Sequence, residues 1–563
     1  MLCWRQPRGP DKGYGDPDIP QIVTQIGIPA VLTPRTSFFL VGLAQTVGSS
    51  RAVDLVVLAV CFIISICIGF FFSRHQGGTS GYFLGERKMS GWLVGFSITA
   101  STISAMTFLG LPGFSYKEDY RWMVSSCTFI LVGMLAMVYV VPFFRRVVAP
   151  SGYTFLEERF GTWARVYAAA GYLLIQVFRL GIVLYATCMA LEVFLGVPVA
   201  WLIVIFGTVA TSYTMLGGFK AVVWTEFFQG LVLLTGAAVV IPVAIHLIPG
   251  GVHTVFRLAV PAGKMSFGST RFTLVGKTVW VMIIASLVTS ASDFTTRQDF
   301  IQRYRAPRSL GQARLAVAIA SLSIGPIWIG FNFLGTVLWT YYQTHPDKVV
   351  TDILSREPEK IVPMFMSSHL PAGLNGLVLA AISMASLSAI AAILNAGSVT
   401  WVYDFHERFI SPLRDERHTL RLAKATTGVV GAIMILLALW IHAMRSGTLQ
   451  DLQATGHMVL SAGLFGMFMV GFFSNRVGRR AALCSAGTTV TAVVIWVALG
   501  TPWALEAWPA LAHCIPDRFW IPVVSNLCLP ILALTFAYLF RDAPVRSNSV
   551  YFRPCVEEAV RPD

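Results

Sequence analysis

Apolar residues run along this chain in long blocks rather than in alternation. Blocks of roughly 20 residues match the thickness of a bilayer's hydrocarbon core. Short charged connections separate them. Sustained runs of this kind read as helices in lipid, where every backbone group must be paired within its own segment. The pattern predicts thirteen spans, at 53–73, 91–113, 122–142, 165–191, 197–215, 221–247, 277–296, 315–342, 371–401, 422–443, 455–473, 481–500 and 519–540. The expected fold class is an all-α polytopic membrane protein. A single transmembrane domain covers 51–541, and a short tail, 542–563, follows it. Residues 1–50 do not fit the pattern: Pro, Gly and charge come early, then a short mixed stretch. A secretory leader needs a basic start, an apolar run and a small-residue cleavage site, and the match is poor. A real extension and a misassigned start both remain open.

Composition supports the membrane reading. Of 563 residues, 55% are hydrophobic and 12% charged, against about 25% charged in soluble domains. The net charge of +14 would point to nucleic acid in a soluble protein. Here most basic residues fall in loops after the odd-numbered spans, among them Arg145, Arg146, Arg303, Arg305, Arg417, Arg421 and Arg480. The positive-inside rule then places the C-terminus in the cytoplasm and the N-terminus outside. No nucleic-acid motif accompanies the charge, so the expected partners are a lipid bilayer and a small molecule. The nine cysteines form no CxxC pair and read as packing residues.

A few residues are expensive where they sit. Arg179 lies mid-span in YLLIQVFRLGIVLYA, where an arginine costs ~2.5–3.5 kcal/mol on the mildest scale. One reading is a guanidinium that grips a carboxylate in two-pronged fashion. The other is an arginine satisfied by helix-end carbonyls or a buried acid. In TASTISAMTF, Thr102, Ser104 and Thr107 are spaced by two and three, so they cannot share one face of a regular helix. Either the helix unwinds there, as in many secondary transporters, or the hydroxyls bond back to the preceding turn. The ninth span is rich in Ala, Ser and Gly, which favours close helix packing. Its Ser388, with nearby carbonyls, could also coordinate a hard cation, which prefers oxygen. Asp293 and Arg297 read as a local i,i+4 pair. Glu226 reads as a carboxylate at a helix start or as an ion ligand.

Four stretches together resemble the sodium:solute symporter family: YFLGERKMSGWLVGFSITASTISAMTFLGLPGFSY, SYTMLGGFKAVVWTEFFQG, QDFIQRY and ILNAGSVTWVYDFHERF. The resemblance covers about residues 53–480. It implies a LeuT-type 5+5 inverted repeat, one helix before it and two after it, and sodium-coupled symport of a small organic solute. Within the family the chain is most similar to bacterial sialic-acid symporters, through FFRR, YTFLEERF, the Arg179 span and WTEFFQG. That implies a bacterial inner membrane and an anionic solute such as a carboxylated sugar. Residues matching Thr102, Ser104, Thr107 and Arg179 hold the substrate in those relatives.

The resemblance also marks departures. Pocket positions that carry Phe, Gln and Phe in the relatives are Ser286, Ser126 and Trp122 here. The shared sodium site matches the carbonyls of Ala100, Ile103 and Ala385 and two hydroxyl positions, of which the first is Ser388 and the second is Ala389. A further sodium site of the sialic-acid branch would need hydroxyls where Ala391 and Ala392 stand and an Asp where Glu226 stands, so its absence is expected. Alternatives are a neutral-sugar transporter, coupling to protons or to no ion, and a transporter-like sensor or polytopic enzyme. The segment after the last span is too short for a folded signalling domain, and the ten histidines make no catalytic motif.

Overall fold

The computed structural model describes residues 49–73, 87–147, 151–273, 278–411, 415–444, 449–508 and 515–541. The expected extension (up to residue 48) and the tail 542–563 lie outside them. Gly48–Asp563 forms one compact unit.

Among the described residues the elements are helical, with one isolated bridge between Met89 and Pro307. In chain order they are α1 (Ser49–Ser73), α2 (Gly91–Thr102), a π-helical turn (Met106–Gly110), α3 (Leu111–Lys117), α4 (Met123–Val138) and α5 (Val140–Arg146). Next come α6 (Thr154–Phe160), α7 (Thr162–Leu195), α8 (Val199–Leu216), α9 (Phe219–His246), α10 (Gly251–Ala259), α11 (Val279–Thr296), α12 (Gln298–Arg305) and α13 (Leu310–Thr344). The chain continues through α14 (Lys348–Arg356), α15 (Ile361–His369), α16 (Leu374–Thr400), a π-helical segment (Trp401–Ile410) and α17 (Glu416–Met444). It closes with α18 (Leu449–Leu460), α19 (Leu464–Phe473), α20 (Arg479–Leu499), α21 (Pro502–Ala507) and α22 (Ile521–Leu539).

Nine helices among the described residues are long and apolar enough to cross a membrane, and twelve if each bent pair counts as one span. The shorter apolar helix Val199–Met215 falls on the fifth predicted span, so each of the thirteen predicted runs has a helical counterpart. Their burial sorts centre from rim. The most apolar stretch of Leu374–Ile410 is 94% buried inside the protein, whereas that of Arg51–Phe72 is 17% buried. The first is the small-residue span predicted to pack closely; the second turns Val56, Ile63 and Phe71 outward, as a lipid-facing helix must. Close approach has a visible cost in side-chain freedom at Gly335 on α13: a Cβ there would lie 2.3 Å from the Pro112 carbonyl oxygen of α3.

The break that positions the site lies between α2 and α3, whose axes differ by 57°. Ser101 and Thr102 hydroxyls donate back to the Ile98 carbonyl at 3.1 and 2.7 Å. Ile103 then leaves the helix with φ −83° and ψ 122°. Ser104 restarts it: its Oγ accepts the Met106 N–H at 3.3 Å, and its carbonyl accepts from Thr107 and Phe108. Both sequence readings of this stretch therefore hold, back-bonding before the break and unwinding at it.

The two halves belong to different apolar clusters. Leu93, Val94 and Ile98 pack with Phe144, Tyr172 and Tyr304. Met106, Phe108 and Leu109 pack with Leu180, Met282 and Phe331. Phe129 and Ile324 of the first cluster and Met106 and Met282 of the second line one cavity together with Gln176 and Arg179 of α7 and Ser286, Ser290 and Asp293 of α11. The bundle thus carries a polar seam between two apolar cores.

Candidate functional site

The seam opens into a cavity of about 180 Å³. Thr102, Ser104, Thr107, Trp122, Arg179 and Ser286 all line it, although they come from four separate parts of the chain. Ser126 does not. Its hydroxyl donates to the Met123 carbonyl at 2.7 Å, and its neighbour Ser125 forms the wall with its Oγ 2.6 Å from Ser286 Oγ. One residue along a helix is a turn of about 100°, enough to exchange the two serines.

Arg179 is the unusual wall residue. Its Nη2 donates to the Thr102 carbonyl at a long 3.3 Å, and its Nε is buried with no partner. No carboxylate lies within ion-pair distance of it among the described residues. Two amide oxygens in the same wall, Gln176 Oε1 and Gln453 Oε1, are likewise buried without a donor.

Further charges reach the cavity that sequence spacing did not assign to it. Asp293 and Arg297 form the expected local pair, at 3.9 Å, but both also face the cavity. Arg297 is held more tightly by Asp299, through contacts of 2.6 and 3.1 Å. Burial alone would raise the Asp299 carboxyl; the Arg297 guanidinium outweighs it and brings Asp299 below its ordinary value. Asp293 Oδ1 instead lies 3.3 Å from Nε2 of His457 on α18. The Asp293 and Arg297 charges were visible in sequence, but the histidine that meets them comes from a helix more than 150 residues later, and no spacing rule connects the two.

The residues matching the cation site are placed apart from this wall. Ala100, Ile103, Ala385, Ser388 and Ala389 are all buried, and α2 and α16 pack against each other. The buried Ser388 hydroxyl has no hydrogen-bond partner among the described residues. Glu226, by contrast, is fully engaged: Arg303 Nη2 sits 2.6 Å away, and the Ser97 hydroxyl donates to its other oxygen. The buried guanidinium also donates from Nε to Ser97 and from Nη1 to the Asp299 carbonyl. A carboxylate so paired belongs to a structural network rather than to a helix start.

A helix broken near its middle, with hydroxyls and a guanidinium turned into a cavity between two apolar cores, is the architecture of a secondary transporter. Comparison with known proteins agrees. Residues 82–488 match the model of the sodium:solute symporter family. The sodium/sialic acid symporter SiaT of Proteus mirabilis is 28% identical over 431 residues, covering 76% of this chain and 86% of the relative. Human sodium-coupled monocarboxylate transporter 1 is 28% identical over 463 residues, covering 81% and 74%. A solved structure described as the substrate-bound outward-open state of a Na⁺-coupled sialic acid symporter superimposes with a TM-score of 0.76 at 26% identity, over 87% of this chain and 98% of that one. The chain belongs to the sodium:solute symporter family. It has the LeuT-type fold expected from its sequence, and it is an integral membrane transporter that couples an organic solute to sodium rather than an enzyme.

Proposed function

We propose that the solute is a small organic anion whose carboxylate is held by Arg179. The carrying observation is the state of that side chain: a guanidinium in the cavity wall, one of its donors buried and unused, with no carboxylate within ion-pair distance among the described residues. A bidentate carboxylate would satisfy both needs. The Thr102, Ser104 and Thr107 segment and the unpaired oxygens of Gln176 and Gln453 favour a solute that also carries hydroxyl or amide donors. A carboxylated sugar of the sialic-acid kind fits this set, and the names of SiaT and the monocarboxylate transporter point to carboxylates too. Trp122 and Ser286 would shape the other walls, with Ser125 rather than Ser126 beside Ser286.

One sodium ion would bind the carbonyls of Ala100, Ile103 and Ala385 with the Ser388 hydroxyl, a set of oxygens that suits a hard cation. Ala389 offers no oxygen, so this site is weaker than one with two hydroxyls. Arg303 already neutralises Glu226, so a second ion there is not expected. The transporter would sit in a bacterial inner membrane with its N-terminus outside and its C-terminus in the cytoplasm.

A thermal-shift panel tests the reading. N-acetylneuraminate, glucuronate, lactate and glucose are each added in Na⁺ and in K⁺, since a ligand that binds only the folded state raises its stability. Stabilisation by the carboxylates, larger in Na⁺, is expected. Equal stabilisation by glucose would refute the anionic assignment. Uptake into proteoliposomes with and without a Na⁺ gradient then reports the coupling.

A further inference from the structure

Gln229 on α9 is a buried amide, 0% exposed, that neither the solute cavity nor the ion pairs use. Its Nε2 donates to the Ser65 hydroxyl of α1 at 2.9 Å. Its Oε1 is buried and has no hydrogen-bond partner among the described residues. A buried polar atom in that state is costly. Glu226, one turn earlier on α9, is not free to share a ligand with it, because Arg303 and Ser97 already hold both carboxylate oxygens. Gln229 is therefore the polar group of α9 with an oxygen to spare.

Two independent registers set Gln229 level with Ser388. The first runs along α9 and α16, where a Cβ on Gly236 would lie 2.5 Å from the Cβ of Ala381. Seven residues back on α9 is Gln229, and seven residues forward on α16 is Ser388. Seven residues are close to two helical turns, so both stay on the faces that meet at Gly236 and Ala381. The second register runs through α1. Asp54 Oδ1 accepts the Gly373 and Gly376 N–H groups at the start of α16, at 2.7 and 2.8 Å. Eleven residues on from Asp54 is Ser65, and eleven on from Gly376 is Leu387; the two line one small void. Helices α1 and α16 thus run parallel and in step, and the bond from Gln229 to Ser65 brings the amide to the level of Leu387. Since Gly236 meets Ala381 while Gln229 sits level with Leu387, α9 runs opposite to α16, as the first register requires. On the α2 side, a Cβ on Gly230 would lie 3.2 Å from the Cβ of Ala100. Helix α9 packs against both α2 and α16, the two helices that carry Ala100, Ile103, Ala385 and Ser388.

We propose that Gln229 is a sodium ligand whose side-chain carbonyl supplies the ion with the oxygen that Ala389 lacks. The proposal rests on the cation reading of Ala100, Ile103, Ala385 and Ser388. An amide carbonyl suits a hard cation as a backbone carbonyl does, and being neutral it leaves the charge carried by the ion unchanged. It offsets the deficit at Ala389 from a third helix. A bound ion then ties α9, and through Ser65 also α1, to the broken α2 and to α16.

Sodium titration of the full-length protein in lipid nanodiscs tests it. Thermal unfolding is followed without solute as NaCl replaces choline chloride at constant ionic strength, and the rise of Tm with Na⁺ gives an apparent ion affinity. Gln229→Met keeps the length of the side chain and removes its oxygen. It should weaken the apparent Na⁺ affinity by roughly tenfold, and Ala389→Ser added to it should recover that loss. The loss of the Ser65 hydrogen bond lowers Tm at every Na⁺ concentration and leaves the concentration dependence alone, so a merely structural role would not move the affinity. Ser388→Ala reports on the site itself. An unchanged affinity in Gln229→Met beside a weakened one in Ser388→Ala overturns the role of Gln229 and leaves the site standing. Unchanged affinity in both removes the site as well. A loss in Gln229→Met that Ala389→Ser does not recover also overturns the proposal, because the two oxygens then do not serve one ion. Should Gln229→Met not fold, Gln229→Asn serves instead: it draws the oxygen back by one methylene and should weaken Na⁺ binding, and an unchanged affinity refutes the assignment.

Discussion

Replacing Arg179 by Met should move stability and binding in opposite directions. In the empty protein the guanidinium makes one long hydrogen bond of 3.3 Å, and its Nε has no partner. The substitution therefore loses one weak bond, about 0.5–1.5 kcal/mol. It also removes a charge whose placement in a span costs ~2.5–3.5 kcal/mol. The net expectation is a gain of roughly 1–3 kcal/mol for the ligand-free transporter. With a carboxylate bound, the same substitution removes two charge-assisted bonds of about 1.5–3 kcal/mol each. Affinity should then fall on the order of 10²- to 10⁴-fold, at about 1.4 kcal/mol per decade. Thermal unfolding of purified Arg179→Met, with and without N-acetylneuraminate in Na⁺, reads both quantities. A higher Tm without ligand and no ligand shift are expected. A lower Tm without ligand would show that Arg179 has a structural partner, and a preserved shift would show that the carboxylate binds elsewhere. Arg179→Lys separates charge from geometry: an ammonium keeps the attraction but not the two-pronged contact, so part of the affinity should return.

Other expectations follow from the same packing and charge arguments. Adding an oxygen with Ala389→Ser should tighten apparent Na⁺ affinity by roughly tenfold, the worth of one good ligand bond, and Ser388→Ala should weaken it; Na⁺ dependence of the unfolding temperature reads both, and an unmoved Ala389→Ser would place the ion elsewhere. Arg303→Met strands a buried Glu226 carboxylate and should cost about 3–5 kcal/mol, whereas Arg303→Met with Glu226→Leu should recover most of it; equal unfolding temperatures for the two proteins would contradict the pairing. Acid should destabilise the fold through Asp299 and Glu157. Burial opposes ionisation of both, but Arg297 depresses Asp299, and Arg165 with Arg408 depresses Glu157, below their ordinary values of 3.8 and 4.5. Depressed carboxyls stabilise the fold fully above those values, and that stability is lost as pH falls through their folded-state titration. An unfolding temperature flat from about pH 5 down to pH 3 would refute this.

Much of this protein was written in one dimension. Hydrophobic run length determined the thirteen helices, because a bilayer admits little else at that length. The irregular spacing of Thr102, Ser104 and Thr107 marked the stretch as one that either unwinds or bonds back on itself, because three hydroxyls at spacings of two and three have no common helical face. Arg179 stood out because a lone charge inside an apolar run is costly wherever the neighbours lie. These are local properties, and they need no knowledge of what packs against what.

Tertiary structure decided which side chains meet. Ser125 rather than Ser126 enters the cavity wall, since the rotation of a helix about its own axis is set by its neighbours and not by its composition. Glu226 passes from a possible ion ligand to the partner of Arg303, because a helix 77 residues away brings a guanidinium to it. Asp293 and Arg297 are an ordinary i,i+4 pair in sequence and become part of a charged cavity once α18 brings His457 against them. Sequence determined where charge and broken backbone occur. Which of those groups share a site depends on long-range packing, because ion pairs and cavities are set by distances in space that residue spacing alone does not encode.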